Sequence, residues 1–140
     1  ISWDTKRQVE IIKAELGWKG ALVEGVPPGY EYEKIECMMQ GMRDYMKFRK
    51  RGYARTTHLT SIDIRQGQMT RHHGEDLVHE YENRKPYSMD LFLKLLDITE
   101  EELENVIEVN QIDPWNGKVP LKIGPKPPDY ESWVSKLIVD

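Results

Sequence analysis

A single cysteine, Cys37, stands in 140 residues, so no disulfide can close within the chain and a cysteine-rich metal site is excluded. Its expected role is that of a small apolar side chain in the interior. No apolar run reaches the roughly 18 residues that a membrane span needs, and no secretory leader is visible. A cytoplasmic location without a membrane is the expectation. The familiar nucleotide and nucleophile signatures GxxxxGK(S/T), GxGxxG, HExxH and GxSxG are missing as well. No methionine precedes Met38, which leads to the expectation that the natural start lies upstream and that the chain is a piece of a larger protein. The length itself suits one domain.

The net charge of −4 conceals an asymmetry. From Met42 to His73 there are eight Lys or Arg against Asp44 and Asp63, a local +6, which leaves −10 on the remainder. A basic patch on an acidic domain points to a specific anionic ligand, whereas general nucleic-acid affinity favours a domain that is basic throughout. The competing explanation is a solvated charged helix face.

Periodicity predicts an all-α fold, a bundle of about five helices. Asp4 is positioned to cap a first helix with Val9, Ile12 and Leu16 on one stripe, stopped at Gly17. The paired prolines of GVPPGY exclude helix and predict an extended connection. A long second helix is expected from about Tyr32 to Lys50, its apolar face rich in methionine and ended by Gly52. A short helix carrying Leu59 and Ile62 follows, closed by Gly67. Thr70 and Ser88 are expected to cap two more, the second with Leu91, Phe92 and Leu95 inward. Thr99 and Glu102 form a capping-box pattern, with Leu103, Val106 and Ile107 as the buried stripe behind it. Residues 1–109 are thus expected as the helical domain. Residues 110–140, which hold five of the eight prolines, are expected as an irregular arm with a terminal helix or strand.

The densest polar chemistry lies in RGYARTTHLTSIDIRQGQMTR, residues 51–71. Arg51, Arg55, Arg65 and Arg71 are spaced so that several guanidiniums face one anion, and the planar guanidinium fork suits phosphate or carboxylate. Thr57 and Ser61 add hydroxyl donors. Asp63 is expected to hold an arginine or cap a turn, and His58 to be a hydrogen-bonded structural group. No catalytic residue is assigned. His72, Asp76 and His79 share a helix face, but the acidic residues around them read as solvent-facing surface, and no metal site is assigned.

The run GYARTTHLTSIDIRQGQMTRHHGEDLV, preceded by KIECMMQGMRDYMKFRKR and an earlier ELGW, resembles the C-terminal region of N-acetyl sugar amidotransferases. These enzymes belong to the PP-loop ATP pyrophosphatase superfamily and act in lipopolysaccharide O-antigen biosynthesis. The resemblance spans residues 3 to 85 and is strongest at Gly52-Tyr53, Arg55, Thr57, Ser61 to Arg65, Gly67 and Met69 to Arg71. It implies a reaction in which the acetamido group of a nucleotide-linked sugar becomes acetamidino. ATP with Mg would activate the amide oxygen, and a glutaminase partner would deliver ammonia. The Ser-Gly-Gly-x-Asp-Ser loop that grips ATP in that superfamily does not occur in these residues, so ATP would be held mainly by an N-terminal domain outside them. A helical RNA-binding module and a surface for docking the glutaminase or a second copy are the alternatives, although the acidic remainder and the lack of an aromatic platform argue against nucleic acid.

Overall fold

The computed structural model describes residues 3–112, the backbone of residues 122–123, and Glu131. Among them are six α-helices: α1 Thr5–Leu16, α2 Gln40–Arg51, α3 Arg55–Arg65, α4 Arg71–Tyr81, α5 Met89–Leu96 and α6 Glu100–Val109. Strand structure among the described residues is limited to β1 Arg84–Lys85 and β2 Lys122–Ile123, which pair in parallel with Arg84 opposite Lys122. The fold class is all-α. Apart from the few positions named above, the arm expected over residues 110–140 lies outside the described residues.

Local signals set most helix ends. The Asp4 carboxylate accepts from the Arg7 amide at 3.1 Å, and the Thr70 hydroxyl accepts from the His73 amide at 3.3 Å, each satisfying a first-turn donor that has no partner within its helix. Thr99 and Glu102 close a full capping box, with the Thr99 amide 2.8 Å from the Glu102 carboxylate. At the other end of α2, Gly52 takes a left-handed φ of +78° and donates its N–H to the Phe48 carbonyl at 2.7 Å.

The second helix is shorter than its apolar face suggests, because α2 starts at Gln40 and residues 32–39 form turns. Tertiary partners take the carbonyls that a helix there would use. Glu31 O accepts from the Ala21 amide at 2.9 Å, and Glu33 O accepts from Arg55 Nη1 at 3.0 Å. Lys34 also adopts a left-handed φ of +52°, which a helix cannot contain.

The core lies between α2, α5 and α6. Met42, Tyr45, Met89, Leu103 and Ile107 form one buried cluster, and Met39, Met46, Phe92 and Leu93 pack against it. Met42 and Met89 are fully enclosed, which contributes roughly 1.5–3 kcal/mol apiece. The methionines of α2 therefore serve packing. A polar link reinforces the α2–α6 contact: Arg49 Nη1 donates to the Tyr45 hydroxyl at 2.9 Å and pairs with Glu104 at 2.5 Å, while Tyr45 donates to Glu104.

Several expected inward positions turn outward. Leu95 is 51% exposed and Val106 is 61% exposed, because the neighbours that cover α5 and α6 reach only one side of each helix. Ile12 and Leu16 are exposed too, and α1 buries no residue at all. It is held instead by its Lys6, which pairs with Asp63 and lies 5.4 Å from the centre of the Tyr30 ring. Cys37 is half-buried.

Candidate functional site

Helix α3 distributes the polar stretch over three faces, as a period of 3.6 residues requires. Thr56, Leu59, Thr60 and Asp63 are buried. Thr57, Ser61 and Arg65 face a groove against α4, where they meet Arg71. Arg55 and His58 face a second groove against α2, which also contains Arg51. The four arginines are therefore divided between two grooves, and no common point receives them.

The inner face is stitched by carboxylates. Asp63 accepts from the Tyr30 hydroxyl at 2.5 Å and from Lys6, so it ties α3 to the N-terminal segment and holds no arginine among the described residues. Desolvation and the Asp63 carboxylate together push the Tyr30 phenol well above its ordinary range. Its neighbour Tyr32 is pushed up to about 12, again mainly by burial. Glu82, at the end of α4, reaches back to the first turn of α3. It accepts from the Ala54 amide at 3.0 Å, the Thr57 amide at 2.6 Å and the Thr57 hydroxyl at 2.9 Å. A carboxylate caps α3 from outside the helix, where the macrodipole favours negative charge.

The same device recurs at α5. Ser88 does not cap that helix with its own side chain, contrary to expectation. Its hydroxyl donates to Glu24 at 2.7 Å, and Glu24 also accepts from the Tyr87 amide. Glu24 and Glu82 are 5% and 6% exposed, and burial raises both carboxyls above their ordinary 4.5 even though hydrogen bonds pull the other way.

Arg55 Nε lies 2.9 Å from the Asp44 carboxylate, and both side chains are largely buried. Burial raises the Asp44 carboxyl and lowers the Arg55 guanidinium, so desolvation outweighs the attraction on both partners. Such a pair contributes little net stability, but loss of either member strands a buried charge.

The two grooves differ in character. The α3–α4 groove, of about 600 Å³, has an apolar floor of Ile64, Gly74 and Val78 with Arg65, Arg71 and hydroxyls around it. Arg71 there is paired with Glu75 at 2.8 Å. Gly74 permits the close approach of the two helices, since a Cβ at that position would lie 2.8 Å from Ile64 Cδ1. The α2–α3 groove, of about 360 Å³, is strongly basic; Lys34, Arg43, Lys47 and Lys50 join Arg51 in lining it. Arg43, Lys47 and Lys50 were counted in the basic region but not assigned as anion contacts, although their spacing along a helix puts them on one face; Lys34 lies outside that region.

His58 is exposed, and so are His72 and Asp76, whose nearest approach is 3.8 Å. Among the described residues no group of three or more His, Cys, Asp or Glu is arranged to hold a metal ion. No described helix is long and apolar enough to cross a membrane.

The comparison with known families places this all-α domain among the lipopolysaccharide-biosynthesis proteins. The family model described as "LPS biosynthesis protein WbpG-like, C-terminal domain" matches residues 29–118, and the chain belongs to this family. The match begins later than the resemblance over residues 3 to 85 and runs well past it, taking in α5 and α6. No curated protein and no solved structure matches the chain.

Proposed function

We propose that this chain is the C-terminal domain of an amidotransferase that converts the acetamido group of a nucleotide-linked sugar to acetamidino during O-antigen biosynthesis in the cytoplasm. Membership of the lipopolysaccharide-biosynthesis family carries the reading, together with the long ordered motif of residues 51–71. Ammonia comes from a glutaminase partner, and ATP with Mg is held mainly by an N-terminal domain of the enzyme.

The domain's part in this reading is to hold the anionic substrate. Arg51 and Arg55 serve it from one groove, and Thr57, Ser61, Arg65 and Arg71 from the other. Guanidinium forks and hydroxyls match phosphate oxygens, and a partly enclosed groove keeps that attraction from being fully screened. Asp63 supports the shape by tying α3 to Tyr30 and Lys6, whereas the exposed His58 makes no side-chain contact that would do so among the described residues.

Arg65 is exposed and has no ion pair among the described residues, so its removal tests binding without disturbing the core. In the full-length enzyme, Arg65→Ala is expected to lower kcat/KM about tenfold, the effect of one lost charge-assisted contact of ~1.4 kcal/mol, with an unchanged circular dichroism spectrum. Wild-type kinetics in Arg65→Ala would remove the assignment of that residue.

A further inference from the structure

We propose that the α2–α3 groove is the binding site for the nucleoside-diphosphate end of the sugar nucleotide, with Lys47, Lys50 and Arg51 as its principal contacts; this rests on the reading of the chain as a sugar-nucleotide enzyme. Six cations line the groove against two carboxylates, Glu33 and Asp44, a formal +4. Asp44 is already committed to Arg55.

The remaining cations have no carboxylate in direct contact among the described residues, and Lys47 and Lys34 feel Asp44 only at longer range. Lys34, Arg43, Lys47, Lys50 and Arg51 make no ion pair among the described residues, and Arg43 donates a hydrogen bond to the neutral Gln40 side chain. Arg49 on the same helix shows the contrast, for it turns inward and pairs with Glu104. Positions 43, 47, 50 and 51 fall on one face of α2, so like charges are held side by side where they repel. A ligand carrying several negative charges within a few ångströms relieves that repulsion, and a diphosphate has this form.

Two further observations define the ligand. Arg55, on the groove's wall, keeps its buried Nη2 without a hydrogen-bond partner. Tyr53 is 43% exposed beside the groove, with Lys47 Nζ 5.3 Å from its ring centre. A part-exposed aromatic ring with a cation already over it suits a nucleobase beside the ring while the diphosphate lies along α2. One such ring accommodates one base, which favours a mononucleotide over a polynucleotide strand.

Isothermal titration of the 140-residue chain with uridine diphosphate, inorganic pyrophosphate and uridine tests the assignment. Uridine diphosphate is expected to bind more tightly than pyrophosphate, and uridine alone only weakly. Lys47→Ala with Lys50→Ala is expected to weaken both phosphate ligands by about tenfold or more, whereas Tyr53→Ala weakens uridine diphosphate alone. Lys94→Ala, an exposed cation on α5 that lines neither groove, should leave both unchanged.

The site is refuted by absence of binding to the wild-type chain, by wild-type affinity in the Lys47/Lys50 variant, or by tRNA displacing uridine diphosphate at far lower concentration. Failure to bind uridine diphosphate while the full-length enzyme still forms acetamidino product overturns this site alone. Intact binding without any product overturns the amidotransferase reading and leaves the site standing.

Discussion

Glu82 illustrates how much a single residue can hold together in this chain. Its carboxylate accepts three donors from Ala54 and Thr57 at the start of α3, and all of them lose their partner if it is removed. Glu82→Ala is expected to cost about 2–3 kcal/mol, the sum of a lost cap and buried donors left unsatisfied. Urea denaturation reads this as a lower midpoint with an unchanged slope. The pH dependence follows from the same residues. Because Glu24 and Glu82 have folded-state pKa values above 4.5, the folded chain keeps protons that the unfolded chain has released. Their contribution is fully present below the ordinary value and is lost as pH rises through the raised one. Glu31 and Glu102 shift in the opposite direction, so the difference between variant and wild type is the informative quantity. Glu24→Gln and Glu82→Gln should each flatten the fall in melting temperature above pH 4.5, and a slope identical to wild type in both would contradict the account. Neither glutamate was legible in the sequence, because their partners stand 25 to 64 residues away.

Helices whose ends are written in nearby side chains could be read directly, and those held by distant partners could not. Asp4, Thr70 and the Thr99–Glu102 box each sit where a cap was expected. The start of α2 was misread because an apolar stripe continues N-terminally into residues whose carbonyls are taken by Ala21 and Arg55. Periodicity likewise identified which residues of α5 and α6 are apolar, but not which sides would be covered, so Leu95 and Val106 were placed inward. Gly41 links these elements. A Cβ there would lie 2.5 Å from the Glu24 carboxylate, which is fixed at the start of α5 by Ser88 and Tyr87. Gly41→Ala is expected to destabilise the domain by about 1–3 kcal/mol through this overlap, despite the better helix propensity of alanine. Thermal unfolding checks it, and a stabilised variant would show that Glu24 moves freely.

At the scale of the whole molecule, the +6 region on an acidic chain was legible from residue counts, and it became two grooves once α3 was wound. What counting could not show is that Arg55 is spent largely on Asp44 and Glu33, while Arg43, Lys47, Lys50 and Arg51 of α2 make no ion pair among the described residues. In the proposed site, that rearrangement shifts the weight of anion binding from Arg55 toward Lys47, Lys50 and Arg51. The central claim, that this domain serves an enzyme moving glutamine nitrogen onto a sugar, is tested most directly by isotope. The full-length enzyme, its glutaminase partner, ATP and a nucleotide-linked N-acetyl sugar are incubated with glutamine labelled at its amide nitrogen, and the sugar is analysed by mass spectrometry. The account expects the label in a new acetamidino group; an unlabelled sugar that keeps its acetamido oxygen would contradict it.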